Sequence, residues 1–186
     1  MLNLLANEKW ANVPIEDGTP NIDMNRVAVG ENNAASILVR FPAGWRRDAM
    51  GHYLCDEEFV VLKGALHLTD HVLKAGDYGF VPAGVQRYGS FTEEETWAFA
   101  WFGARPAWVR DAVKDETAHE KTVKVKLSSA HPGLLRPATS LLPALYVGMA
   151  GSEEMEILDV ENGTWEISNK SSAHLLHRVQ WVSSQV

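Results

Sequence analysis

The stretch whose reading decides the fold runs GWRRDAMGHYLCDEEFVVLKG over residues 44–64, ALHLTDHVLKA over 65–75 and GDYGFVPAG over 76–84. Glu57 to Lys63 is β-branched and aromatic in its middle and stops at Gly64. Ala65 to Thr69 resumes the extended pattern beyond what reads as a tight corner. A third strand, Tyr78 to Val81, is preceded by Gly76-Asp77 and stopped by Pro82-Ala83-Gly84, and the polar segment Trp45 to Ala49 leads in as a loop.

Toward the N-terminus, Ala35 to Phe41 and Asn25 to Val29 read as a hairpin joined through Gly30-Glu31-Asn32-Asn33. The first twenty residues, punctuated by Pro14, Gly18 and Pro20, are expected to form an extended arm pinned by Trp10. Toward the C-terminus, Thr96 to Phe102 carries Trp97, Phe99 and Trp101 on one face and Ala98, Ala100 and Phe102 on the other, which predicts a buried strand. Pro106 to Lys114 places Trp108, Val109, Ala112 and Val113 at helical spacing behind a first-turn proline, which predicts a short helix. Thr122 to Leu127 reads as an edge strand and Ser128 to Pro143 as a long loop. Ala144 to Val147, Met155 to Val160 and Thr164 to Ser168 read as strands, the last two joined by Glu161-Asn162-Gly163, and Leu175 to Val182 fits a final strand or short helix. Roughly ten short strands at frequent turn signals predict an all-β sandwich or barrel.

Composition sets outer limits. The 186 residues suffice for one well-buried domain with an appendage, and 46% hydrophobic with 22% charged residues excludes wholesale disorder. Seventeen basic against twenty-four acidic residues, a net charge of -7, and no Lys/Arg-dense run argue against nucleic acid as a partner. No eighteen apolar residues occur together and the N-terminus lacks a signal-peptide pattern, so no membrane partner and a cytoplasmic location are expected. Cys55 is the only cysteine, which excludes an intrachain disulfide and reads as a small half-buried side chain rather than a catalytic thiol.

The spacing inside the opening stretch is informative. Gly44 is followed at fixed intervals by Met50, His52, Glu57 and Gly64, and Gly76 by Pro82, Gly84 and Arg87. This resembles the two motifs of the cupin superfamily, G-x5-H-x-H-x4-E-x6-G and G-x5-P-x-G-x2-H-x3-N, and the wider pattern from Ala35 to Trp101 is most similar to ChrR-type single-domain cupins. The resemblance implies an all-β, cupin-like double-stranded β-helix, that is, a jelly-roll barrel, with a short helix and a β-rich C-terminal extension. It implies one cupin-like domain over residues 1–186, with a motif-bearing core at about 35–103 and an extension at 104–186. The alternative is a bicupin in which Val123 to Val182 forms an eroded second barrel. A homodimer is a further expectation from the family.

Carried over residue by residue, the family's metal-ligand positions fall on Met50, His52, Glu57 and Arg87, and its last Asn position on Phe91. The turn-shaping Gly44, Gly64, Gly76, Pro82 and Gly84 are all kept, but only His52 and Glu57 are of a type that ligates a divalent metal. A catalytic metal site needs three or more converging N or O ligands. Arg87 has no lone pair and a permanent charge, so it pairs with Glu57 or holds a substrate carboxylate. His67, His71, His131, His174 and His177 are the available substitute ligands. If Glu57 points inward, so do Phe59, Val61 and Lys63, while Glu58, Val60 and Leu62 point away. Trp97, Phe99 and Trp101 either wall that cavity or pack in a core.

Three functional readings follow. In the first, an enzyme acts on a small carboxylated or phenolic molecule, with His52 and Glu57 catalytic and Arg87, Met50, Phe59, Trp101 and Tyr53 binding the ligand. In the second, the same residues hold a ligand in a non-catalytic binding or sensor domain. In the third, a metal-dependent dioxygenase or isomerase binds a divalent metal through His52, Glu57 and substitute ligands.

Overall fold

Along Glu57–Lys63 successive side chains alternate between two apolar environments, and the whole fold is arranged around that alternation. In the computed structural model, which describes residues 1–148, 155–168, 176–179 and 182–185, this strand lies inside an antiparallel sheet of eight strands. The side chains of residues 155, 168, 176–179 and 182–185 are not part of that description. Its order is Val123–Lys126, Asp77–Val81, Glu57–Lys63, Thr96–Phe102, Ala35–Phe41, Ile22–Gly30 and Ala11–Val13, with Val182–Gln185 also paired to Ile22–Gly30. A second sheet faces it, in the order His71–Lys74, Ala65–Leu68, Ser90–Phe91, Arg46–Arg47 and Gly18–Thr19.

The chain passes from one sheet to the other at Gly64, whose φ of +77° suits a residue without a Cβ. A Cβ there would come within 2.6 Å of the Thr96 hydroxyl and 2.7 Å of the Glu95 carbonyl, so the corner also demands glycine sterically. Between the two sheets lies a core that includes Phe59, Val61, Ile37, Val39, Leu66, Leu68, Ala100 and Phe102. Two antiparallel sheets enclosing one core, with chain crossovers between them, make the cupin-type jelly roll that the motif spacing implies.

The opposite face of the large sheet is not left to solvent. Val60, Tyr78, Phe80, Trp97, Phe99 and Trp101 pack against Leu142, Leu145, Val147, Leu158 and Trp165. Most of the latter belong to a third sheet, in the order Leu2–Asn3, Thr164–Ser168, Met155–Asp159, Leu176–Val179, Leu145–Val147 and Gly133–Arg136. The aromatic stripe of Thr96–Phe102 is therefore core packing against the C-terminal strands, and Trp101 does not wall the inner cavity as a ligand-binding residue there would. Register explains the outcome: Trp101 pairs with Glu58 while Phe102 pairs with Glu57, so Phe102 is the aromatic that shares the inner face. Lys63 also departs from the expected parity, because a register shift between Trp97 and Ala98 turns the strand end outward, where Lys63 meets Glu95.

Polar links cross the same outer face. Glu58, fully buried, accepts from the Tyr78 hydroxyl at 2.6 Å and from Arg136 Nε and Nη2 at 2.6 and 3.1 Å. Arg136 also donates to the Pro137 and Pro143 carbonyls. Glu156 on the third sheet accepts from Ser36 and from Trp165 Nε1.

The helix expected over Pro106 to Lys114 is instead a strand, Trp108–Arg110, paired with Gly51–Tyr53. Val113, which completed the helical spacing, is 80% exposed, so the pattern had no apolar face to bury. The short helix lies later, at Ala118–Lys121. The expected long loop after Ser128 contains the strand Gly133–Arg136, and His71–Lys74 is a strand with no counterpart in the sequence reading. Where one strand or a short helix was expected over Leu175 to Val182, Leu176–Val179 and Val182–Gln185 are two strands, while 175, 180 and 181 lie outside the described residues.

Candidate functional site

The core between the two sheets is not filled. A cavity of about 230 Å³ remains, walled by Ile37, Val39, Phe59, Leu66, Leu68 and Phe102 and crossed at its mouth by the arm residues 13–16. The arm is anchored at two places. Trp10 meets Trp97 edge to face at 5.1 Å, and Asp17 accepts from Trp108 Nε1 at 2.9 Å and pairs with Arg110.

One end of the cavity is polar. Glu57 arrives from its strand with Phe59, and its carboxylate forms an ion pair with Arg87 Nη1 in which both side chains are largely buried. Arg87 is placed by the turn at Pro82-Ala83-Gly84 and by a two-way backbone pairing with Gly51, at 2.7 and 3.1 Å. Its guanidinium lies 4.6 Å from the centre of the Tyr53 ring, and its Nε and Nη2 are buried without a hydrogen-bond partner. Arg47 enters from the facing sheet, donates Nη2 to the Tyr53 hydroxyl at 3.0 Å and stacks on Trp108 at 4.0 Å. Its Nε and the Trp45 indole Nε1 are likewise buried without a partner.

The strand Gly51–Tyr53 decides which residues meet there, and it corrects the sequence register. The motif spacing singles out Met50 and His52, whereas the structure turns Tyr53 into the cavity. Neither Met50 nor His52 lines it. Met50 packs at the edge of the inner core. His52 faces away, with Nδ1 at 3.1 and 3.2 Å from the Asp111 carboxylate, which also accepts from Gln86 at 3.1 Å. Burial pushes the Asp111 carboxyl up, but the bonds from His52 and Gln86 and the His52 charge outweigh it and hold the group below the ordinary range. Gly51 itself has no room for a side chain, since a Cβ would come within 2.6 Å of the Trp108 ring.

Of the expected site residues, Tyr53, Glu57, Phe59 and Arg87 line one cavity, whereas His52, Met50 and Trp101 do not. Glu57 thus stands on the cavity wall and His52 does not. Arg47, which the sequence places with Arg46 in a polar loop at the expected mouth, a solvated face whose arginines would attract an anion, is 4% exposed, while Arg46 pairs with Asp48 in solvent. Phe102, Trp108 and the arm had no motif to mark them. Among the described lining residues, Glu16 and Glu57 are the only Asp, Glu, His or Cys side chains, and Glu16 is exposed at the mouth. The substitute ligands lie elsewhere: His67 stacks on Phe91 at 4.0 Å, His71 Nε2 lies 2.9 Å from the His119 carbonyl, and His131 is exposed. His174 and the His177 side chain fall outside the described residues. Cys55 is buried, and burial, with the Glu57 charge next, pushes its thiol up to about 11, which leaves it protonated and inert.

Comparison with known proteins agrees with this architecture. Residues 5–105 match the ChrR cupin-like domain. A candidate dioxygenase from Nostoc punctiforme PCC 73102 is 15% identical, covering 92% of this chain and 73% of its own, with a TM-score of 0.57. Protein Ylba from E. coli is 11% identical, covering 97% of this chain and 82% of its own, with a TM-score of 0.53. An acetylacetone dioxygenase from Acinetobacter johnsonii is 16% identical over 62% of this chain and 87% of its own, with a TM-score of 0.47. No curated protein matches the chain. At these identities the first two structures, with TM-scores of 0.57 and 0.53, speak for the fold alone.

Proposed function

The chain belongs to the ChrR cupin-like family, and from that premise we propose that it binds a small carboxylated or phenolic molecule between its two sheets without a metal centre. The observation that carries this reading is the Glu57–Arg87 ion pair, which occupies the polar end of the cavity where the family's motif would place metal ligands. A divalent cation does not fit the donor set described there. The one buried carboxylate is already neutralised, and two guanidiniums that cannot ligate would repel the ion. Elemental analysis of purified protein tests this, with an expected content below about a tenth of an equivalent. A stoichiometric metal would instead support the reading of a dioxygenase or isomerase with substitute ligands.

Binding is favoured over catalysis by what the cavity lacks among its described residues. Glu57 is committed to Arg87, and His52 is committed to Asp111 on the other side of its strand, so neither serves as a free general base toward a bound molecule. A thermal-shift screen of small carboxylates and phenols checks for binding, and turnover of any hit would move the assignment to an enzyme. The reading includes a cytoplasmic protein and a homodimer, the latter measured by light scattering. Among the described residues no helix is long and apolar enough to cross a membrane.

A further inference from the structure

We propose that the cavity is built for a monoanion gripped by two guanidiniums, Arg47 as well as Arg87, and that its ligand is a small monocarboxylate with a compact apolar body. The inference rests on the reading that this cavity binds a small molecule, and it chooses between the carboxylate and the phenol.

Arg87 Nε and Nη2, Arg47 Nε and Trp45 Nε1 are all buried without a partner, on residues no more than 5% exposed that line one cavity. Buried donors left unpaired are costly, and charged ones more so, which is why native interiors rarely keep them. Arg136 in the same protein shows the alternative, with Glu58 and two backbone carbonyls engaging its Nε, Nη1 and Nη2. Donors lining one space from separate segments, Arg47 on a strand of the facing sheet and Arg87 on the loop after Asp77–Val81, call for an acceptor with several lone pairs. A carboxylate supplies two oxygens and about four lone-pair directions, whereas a phenol oxygen supplies fewer and carries a proton of its own.

Three guanidiniums, the buried Arg47 and Arg87 and the exposed Arg110, face two largely buried carboxylates, Glu57 and Asp17. Asp17 also acts on Arg47, but it is already held by Arg110 and Trp108, and Arg26 and Glu16 are solvent-exposed at the mouth. The excess inside is one positive charge, which a monoanion cancels and a dianion would overshoot beside Glu57. About 230 Å³ corresponds to the space of roughly eight water molecules and lies below the usual range for drug-sized ligands. The walls away from the arginines are hydrocarbon, so the body of the ligand is small and apolar.

The test is calorimetric titration of the full chain with benzoate and 3-methylbutanoate, beside neutral benzamide, phenol and dianionic phthalate. The wild type is expected to bind at least one of the two monocarboxylates and to bind benzamide, phenol and phthalate at least about tenfold more weakly. Arg47→Gln is expected to weaken monocarboxylate binding by about tenfold or more while the near-ultraviolet circular dichroism of the tryptophans is unchanged. Should Arg47→Gln fail to fold, Arg47→Lys keeps the charge and loses the fork, and the expected result is again weakened binding. The paired variant Glu57→Gln/Arg87→Gln keeps the charge balance and is expected to lose most binding in a folded protein. Benzamide or phenol binding as tightly as benzoate would overturn the monoanion site while leaving a small-molecule cavity standing. Unchanged benzoate affinity in Arg47→Gln would remove the second guanidinium. Failure of all five compounds to bind would overturn this inference and the parent reading together.

Discussion

Glu57 and Glu58 are neighbours on one strand, and each meets an arginine, yet the two pairs have opposite characters. Glu58 faces the C-terminal sheet, where it accepts from Tyr78 and Arg136, while Arg136 also reaches two backbone carbonyls; this network is closed. Glu57 faces the cavity, where its partner Arg87 keeps two nitrogens without a partner and a second arginine stands by; this network is open. The lesson is that burial of an ion pair does not by itself separate scaffold from site. The count of satisfied donors does, because a fully bonded network gains nothing from a ligand and a partly bonded one does.

The largest loss of stability is expected on the closed side. Glu58→Ala leaves Arg136 buried and uncompensated, and it is expected to cost about 3–5 kcal/mol, measured by urea unfolding. Replacing both partners, as Glu58→Leu/Arg136→Met, is expected to recover much of that loss, and a double variant as unstable as the single one would show that the network does more than neutralise itself. On the open side Arg87→Gln is expected to cost less, about 2 kcal/mol, because Glu57 retains some contact with the cavity. It should also abolish the thermal shift induced by a small carboxylate; a shift that survives would place the anion site elsewhere.

Asp111 lies against His52, on the outer side of the strand that carries Tyr53. Its pKa in the folded protein lies below the ordinary 3.8. The stabilising contribution is therefore fully present above that value and fades as pH falls through the lower folded value. Unfolding midpoints of wild type and Asp111→Asn should differ at pH 6 and converge at strongly acidic pH. The smallest effect is on Asp115, whose carboxyl Lys121 and Thr117 draw down to about 2. The gap between wild type and Asp115→Asn should close between about pH 4 and pH 2, and a gap that widened on acidification would reverse the sign of this linkage.

Much of the fold could be read because its turns are chemically singular. Gly44, Gly64, Gly76 and Gly84 all have positive φ, between 75° and 84°, a conformation that side chains disfavour, so their spacing carries the shape of the jelly roll directly. Long strands with two clear faces, such as Thr96–Phe102, were equally legible. The site was only half legible. Gly51–Tyr53 has three residues, too few for alternation to set its phase, and its orientation comes from pairing with Trp108–Arg110, more than fifty positions away. That pairing also consumed the residues whose spacing reads as a helix.

Glycines and Pro82 at turns write the cupin jelly roll into the local sequence, which also sets Glu57 and Arg87 where metal ligands would stand. The company they keep comes from long-range packing. It turned His52 out and Tyr53 in, sent Trp101 to the opposite face, and brought Arg47 and the N-terminal arm to the same cavity. The physical reason is that backbone turns are local properties of a few residues, whereas the side a short strand presents and the donors left unpaired there depend on partners distant in the chain.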